Sequence, residues 1–203
     1  MKRIALAVIT SITISIPLCT RAQESKCPGD DNGSADDAAA ILQRLKPSAT
    51  DSEEKQCIEH AINLLAQRRE ITDRSVLIPY LTFKHTPTRE EQNGFYLHPP
   101  SDVSEYPAIS ALALEGKPVR KLLVDTIVGD VSQEIRQNAT KALLLSFQPS
   151  KGESAASGIT LLKTAAHNQT GRGEAHLSEA IRFGLTLRYC TQIHDECEKA
   201  AAQ

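Results

Sequence analysis

The chain has 203 residues, 23 basic and 25 acidic side chains, a formal net charge of −2, and eight aromatic residues with no Trp. This balance argues against nucleic-acid binding, which needs a dense basic surface, and against docking to an anionic membrane through a basic face. The length is enough for one domain with a substantial core.

Lys2 and Arg3 precede an apolar run from Ile4 to Leu18, and Thr20-Arg21-Ala22 places small residues where a signal peptidase would cut. Residues 1–22 therefore read as a signal peptide and 23–203 as the mature chain. The run is shorter than the roughly 20 residues that a spanning helix requires, and no later stretch is apolar enough to cross a bilayer. Cys19 follows Ile16-Pro17-Leu18 rather than a leucine and small residues, so lipidation is not expected there. The leader has bacterial character, and the expected location is periplasmic or secreted. Loss of Lys2, Arg3 and Arg21 leaves 20 basic against 25 acidic residues.

Four cysteines remain: Cys27, Cys57, Cys190 and Cys197. An even number in an exported chain favours disulfides, and three pairings are open. The preferred set joins Cys27 to Cys57, pinning an N-terminal arm, and Cys190 to Cys197. The second pair imposes a condition, because seven residues of continuous helix rise about 10.5 Å, beyond disulfide reach. A helix must end between them.

From Gln23 to Ser34 the chain reads as a polar arm. Asp36 opens a helix from Ala38 to Lys46, with Ile41, Leu42 and Leu45 on one side and Pro47 as its stop. Asp51 or Ser52 caps the next, with Glu53 and Glu54 in its first turn and Ile58, Ile62, Leu64 and Leu65 on its buried face. Thr72 or Asp73 caps RSVLIPYLTFK, where Pro79 predicts a kink or a late start.

Residues 84–105 break the pattern, with Pro87, Pro99, Pro100, an Asn93-Gly94 turn and the string GFYLHPP. A structureless stretch of about 20 residues in a compact domain is more often functional or disordered than neutral, and it reads as an insertion. Three helices follow between Tyr106 and Phe147. Ile109, Leu112, Ala113 and Leu114 face inward from the first, Val119, Leu122, Leu123 and Ile127 from the second, and Ile135, Ala139, Ala142, Leu143 and Leu144 from the third. Glu153 to Ala166 and Ala175 to Tyr189 are the last two, with Gly184 allowing close approach, and the tail from Glu198 is expected to fray. This makes about eight helices and no strand: an all-α fold.

Leu81, Leu122 and Leu161 occupy the same place in three similar helices, 41 and 39 residues apart, each preceded by a partner helix. A helix pair recurring near 40 residues is the sequence signature of an α-solenoid. SVLIPYL, YPAISALALEGKPVRKLLVDTI and EIRQNATKALL resemble HEAT-repeat proteins over residues 57–166. The resemblance implies a short α-solenoid of antiparallel helix pairs that binds protein partners, and it implies no shared activity.

Catalytic and metal signatures are sparse. No G-x-S-x-G, P-loop or dinucleotide-binding pattern occurs, and no cofactor is expected. His194-Asp195-Glu196-Cys197 with Cys190 lacks the paired spacing of a zinc site, so the disulfide reading is preferred and no metal is expected. His85 and His98 flank the insertion and could meet across its base. Of the sequons at Asn32, Asn138 and Asn168, the second falls inside a helix, and all three are read as coincidental. Three of the eight aromatic residues, Phe95, Tyr96 and Tyr106, lie in or beside the insertion. Aromatic residues anchor interfaces, so Phe95, Tyr96, Leu97, His98 and Tyr106 are the candidate contact residues; the equal alternative is that Phe95 and Tyr96 fold back and plug the groove of the solenoid. The expected function is a non-catalytic protein-binding or scaffolding module. The alternative is a hydrolase or lyase with a histidine–carboxylate site near the 84–105 loop.

Overall fold

The computed structural model describes residues 27, 34–68, 73–87, 102–147 and 152–202. The expected signal peptide and residues 88–101 lie outside them. Helices α1 (Ala35–Arg44) and α2 (Ser52–Gln67) come first, then a 3-10 helix (Arg74–Thr82), the single turn α3 (Asp102–Glu105) and α4 (Pro107–Glu115). A 3-10 turn (Lys117–Val119) leads to α5 (Arg120–Val128), α6 (Gln133–Leu145), α7 (Ala155–His167), α8 (Arg172–Thr186), the single turn α9 (Arg188–Thr191) and α10 (His194–Ala202). The fold is all-helical, with no strand among the described residues.

Local chemistry sets most helix starts. The Ser34 hydroxyl accepts from the Asp37 N–H while the Asp37 carboxylate accepts from the Ser34 N–H, a capping box one turn upstream of the expected start. The Ser34 hydrogen bonds hold the Asp37 carboxyl below its usual range. Asp51 accepts from the Glu53 and Glu54 N–H groups to open α2. Asp73 accepts from the Ser75 N–H ahead of the 3-10 helix. Pro79 kinks no α-helix, because the whole Arg74–Thr82 segment is 3-10.

The tightest helical neighbours are α1 with α2, α5 with α6, and α7 with α8. The repeat reading instead groups α4 with α5 and α6 with α7, so the observed hairpins are one helix out of phase with it. Short turns at residues 129–132 and 168–171 fold α5 onto α6 and α7 onto α8, as short connections do. Gly116, at φ 68°, and the 3-10 turn separate α4 from α5. Across the hairpins, α2 meets α4, α4 meets α6, α6 meets α8, and α7 meets α10.

The main core runs from Leu42, Ile58 and Leu65 through Leu81, Ile109 and Leu123 to Leu143 and Leu177. A smaller cluster joins Leu144, Ile159, Leu187, Cys190, Cys197 and Ala200 at the C-terminal end. Gly184 lets these layers close, since a Cβ there would lie 3.0 Å from both Ile159 Cδ1 and Leu144 Cδ1. Leu114, expected to face inward, is 58% exposed. It shares its side of α4 with Ser110, four residues earlier and only half-buried, whereas Ala111, Leu112 and Glu115 on the other side are covered, so Leu114 lies on the outer face.

Both preferred disulfides form. Cys27 and Cys57 have Cα atoms 5.0 Å apart, and Cys190 and Cys197 5.8 Å apart. The helix does end between the second pair, at Gln192–Ile193. The expected long last helix stops at Thr186, where Leu187 takes an extended conformation. The tail does not fray: α10 continues to Ala202, buries Cys197 and Ala200, and receives Lys163 Nζ on the Ala201 carbonyl at 2.7 Å.

Tyr80 ties the 3-10 helix to the end of α1. Its hydroxyl lies 2.5 Å from the Leu42 carbonyl and 2.6 Å from the Leu45 carbonyl, two acceptors that α1 leaves unpaired at its C-terminus. Burial pushes the phenol pKa up to about 12. A raised folded-state pKa adds stability that is complete below the unfolded value near 10 and lost as pH rises through 12. The expected loss between those limits is about 2–3 kcal/mol. Urea unfolding at stepped alkaline pH checks this, and Tyr80→Phe removes that component of the pH dependence.

Candidate functional site

The two ends of the inserted segment meet on the surface formed by α2, α4 and α6. Residues 83–87 leave the 3-10 helix without regular secondary structure, and α3 leads into α4. The His85 N–H donates to the Glu105 carbonyl at 2.8 Å, closing the neck with a backbone bond. Lys84 Nζ pairs with Glu105 Oε1 at 3.3 Å. On the opposite side, Glu59 of α2 takes both strands of contact from the incoming chain: the Thr86 N–H donates to Glu59 Oε2 at 3.3 Å, and His85 Nδ1 bonds Glu59 Oε1.

Tyr106 is the N-cap residue of α4 and is half-buried. Two ammonium groups approach its ring, Lys84 Nζ at 5.3 Å and Lys141 Nζ at 5.5 Å from the centroid. This geometry suits cation–π attraction. Hydrogen bonding to Tyr106, and then to Glu105, holds the Lys84 pKa above the usual lysine range. Of the expected contact residues, Tyr106 is placed at the neck, whereas Phe95, Tyr96, Leu97 and His98 lie outside the described residues. The suggested meeting of His85 with His98 falls there too.

Sequence reasoning did not anticipate Glu59, Lys84, Glu105 or Lys141. Glu59 carries the only signal of the four that could be read locally: it is a carboxylate between Ile58 and Ile62, on the margin of a buried face. Nothing nearby in sequence shows that its partner lies 26 residues on.

The His85–Glu59 pair is a histidine oriented by a carboxylate through Nδ1, an arrangement also used in general-base catalysis. Here both groups are engaged in holding the neck. At the C-terminal end, His194, Asp195 and Glu196 are exposed in the first turn of α10, and Cys190 and Cys197 are consumed by their disulfide. Asn138 is a structural residue: it is 3% exposed, and its Nδ2 donates to the Leu81 carbonyl at 2.7 Å. An open hollow of about 610 Å³ between α7 and α8 carries Lys163, His167, Glu174, Ser178 and Arg182. Lys163 is held there by the α10 carbonyl.

Comparison with protein-family models, with curated proteins and with solved structures finds no match to this chain.

Proposed function

We propose that this chain is an exported, non-catalytic protein-binding or scaffolding module of HEAT-like helical repeats, with the 84–105 segment as its contact surface. The observation that carries this reading is the closed neck. A binding loop works best when a rigid frame fixes its entry and exit. Here a backbone bond, the His85–Glu59 pair and the Tyr106 cap anchor the segment's ends on two sides. The two disulfides fit an oxidising compartment. Phe95, Tyr96, Leu97 and His98 would supply the contacts beyond the neck, together with Tyr106.

The test is replacement of residues 88–101 by a short Gly-Ser linker, followed by affinity capture from the periplasmic or secreted fraction of the native host. Captured partners should fall at least tenfold while the thermal midpoint moves by less than about 4 °C, the shift expected from no more than ~1–2 kcal/mol in a domain of this size. Unchanged capture would sink the loop as the contact surface. His85→Gln separates the hydrolase or lyase alternative. The amide can still donate to Glu59 but cannot act as a general base, so binding by the module should survive it.

A further inference from the structure

A second surface, remote in sequence from the inserted segment, has the features of a recognition trough. It is an open concavity of about 410 Å³ bounded by Val124 of α5 and Leu161 of α7, floored by Phe147, and edged by Lys117, Arg120 and Lys121. Its volume lies in the range of ligand sites, about 300–1,000 Å³.

The floor is rigidly built. The Arg120 guanidinium lies 3.5 Å from the Phe147 ring centroid. It also donates to the Glu153 carboxylate at 3.0 and 2.5 Å, to the Ser146 carbonyl at 2.9 Å and to Ser146 Oγ at 3.2 Å. Gly158 of α7 gives the ring room, because a Cβ there would sit 3.3 Å from Phe147 and 2.5 Å from Leu144. Arg120 is therefore a neutralised wall, and its charge is spent inside the protein.

The lip is different. Lys117 forms no hydrogen bond or ion pair among the described residues. Lys121 pairs with Asp125 at 2.6 Å, but both groups are well exposed, and an i, i+4 pair of this kind is weak and easily exchanged. Two cations that are cheap to redirect thus stand one helical turn apart beside an apolar floor. Two separate cations call for two anionic groups, which an acidic peptide carries and the single head group of a fatty acid does not.

We propose that this trough binds a short acidic peptide segment of a partner protein, which seats a bulky apolar side chain between Val124, Phe147 and Leu161 and pairs flanking carboxylates with Lys117 and Lys121. The apolar anchor supplies the desolvated centre of such a contact, and the charged lip supplies orientation. No part of the inserted segment enters this argument.

The test pans a random 12-residue phage-displayed peptide library on the mature chain, with counter-selection on the Lys117→Glu/Lys121→Glu variant. Enriched peptides should share one large apolar residue flanked by Asp or Glu. One of them, labelled with fluorescein and followed by anisotropy, should bind at least tenfold more weakly to the double variant and to Leu161→Gln. Its affinity for the variant lacking residues 88–101 should be unchanged. The charge reversals sit on exposed side chains, so they keep the test valid should Leu161→Gln fold poorly. Absence of enrichment, enrichment of peptides without acids, or equal affinity for the double variant would overturn the proposal. Displacement of the peptide by dodecanoate at a lower concentration would reassign the trough to an acyl chain. A dimer that Lys117→Glu/Lys121→Glu dissociates would reassign it to a second copy. Loss of binding on removal of 88–101 would move recognition to the inserted segment.

Discussion

Glu115→Leu is expected to destabilise the protein by about 3–5 kcal/mol, the cost of leaving one member of a buried ion pair without its partner. Arg74 at the start of the 3-10 helix is 9% exposed and Glu115 at the end of α4 is 11% exposed, with Nη2 and Oε1 2.7 Å apart. A glutamate in the last turn of a helix opposes the macrodipole, so its position here is compensated by Arg74 rather than by α4 itself. Arg74 has little else to rely on, because its Nη1 is buried without a hydrogen-bond partner among the described residues. Removing the carboxylate leaves a buried guanidinium with no acceptor among the described residues. The double variant Arg74→Met/Glu115→Leu should recover most of the loss, since an apolar pair of similar volume carries no desolvation penalty. Equilibrium urea unfolding of the two single variants and the double variant gives the coupling directly. A Glu115→Leu variant within about 1 kcal/mol of the parent would mean that Arg74 reaches water, and the buried-pair account would fail.

Cys190→Ser/Cys197→Ser is the second large effect, expected at about 2–3 kcal/mol from the chain entropy of a short closed loop. Its local consequence is more informative than its size. The bond holds α9 and α10 against Leu144, Ala155, Ile159 and Leu187, a cluster small enough to depend on that tether. Without it, the Lys163 contact to Ala201 still ties α7 to the end of α10. Native-state hydrogen exchange should show amides of residues 194–202 losing protection while those of α6 keep theirs. Uniform loss across both helices would show that the cluster and the main core unfold as one unit. Reduction of the parent protein should reproduce the pattern, together with release of Cys27 from Cys57.

Features that a few neighbouring residues decide were legible in the sequence. Asp51 and Asp73 start helices because their carboxylates reach N–H groups two and three residues on, and a side chain of that length can be judged from its position alone. Gly184 and the Cys190–Cys197 pair were legible for similar reasons, one through the absence of a Cβ and the other through a distance condition. What was not legible depends on how helices meet. The Arg74–Glu115 pair spans 41 positions, and nothing local marks either residue as buried. Leu114 belongs to an apolar run, and only the packing of α4 shows that it falls on the outer side with Ser110. The phase of the hairpins escaped for the same reason: apolar periodicity shows that a helix has a buried face, but not which neighbour covers it. At the candidate site, Tyr106 was legible as an aromatic beside an irregular segment. The carboxylate that fastens the neck, Glu59, came from a helix read only for its core.

The bond from the His85 N–H to the Glu105 carbonyl makes the neck a port for exchangeable sequence. Once entry and exit are fixed side by side, the entropy of closing the intervening chain grows only logarithmically, by about 0.6 kcal/mol for each doubling of its length. Foreign peptides of quite different lengths should therefore be accommodated between Pro87 and Asp102 at little cost to the helices beneath. A fixed entry and exit would let the sequence between them diversify while the helices stay constant.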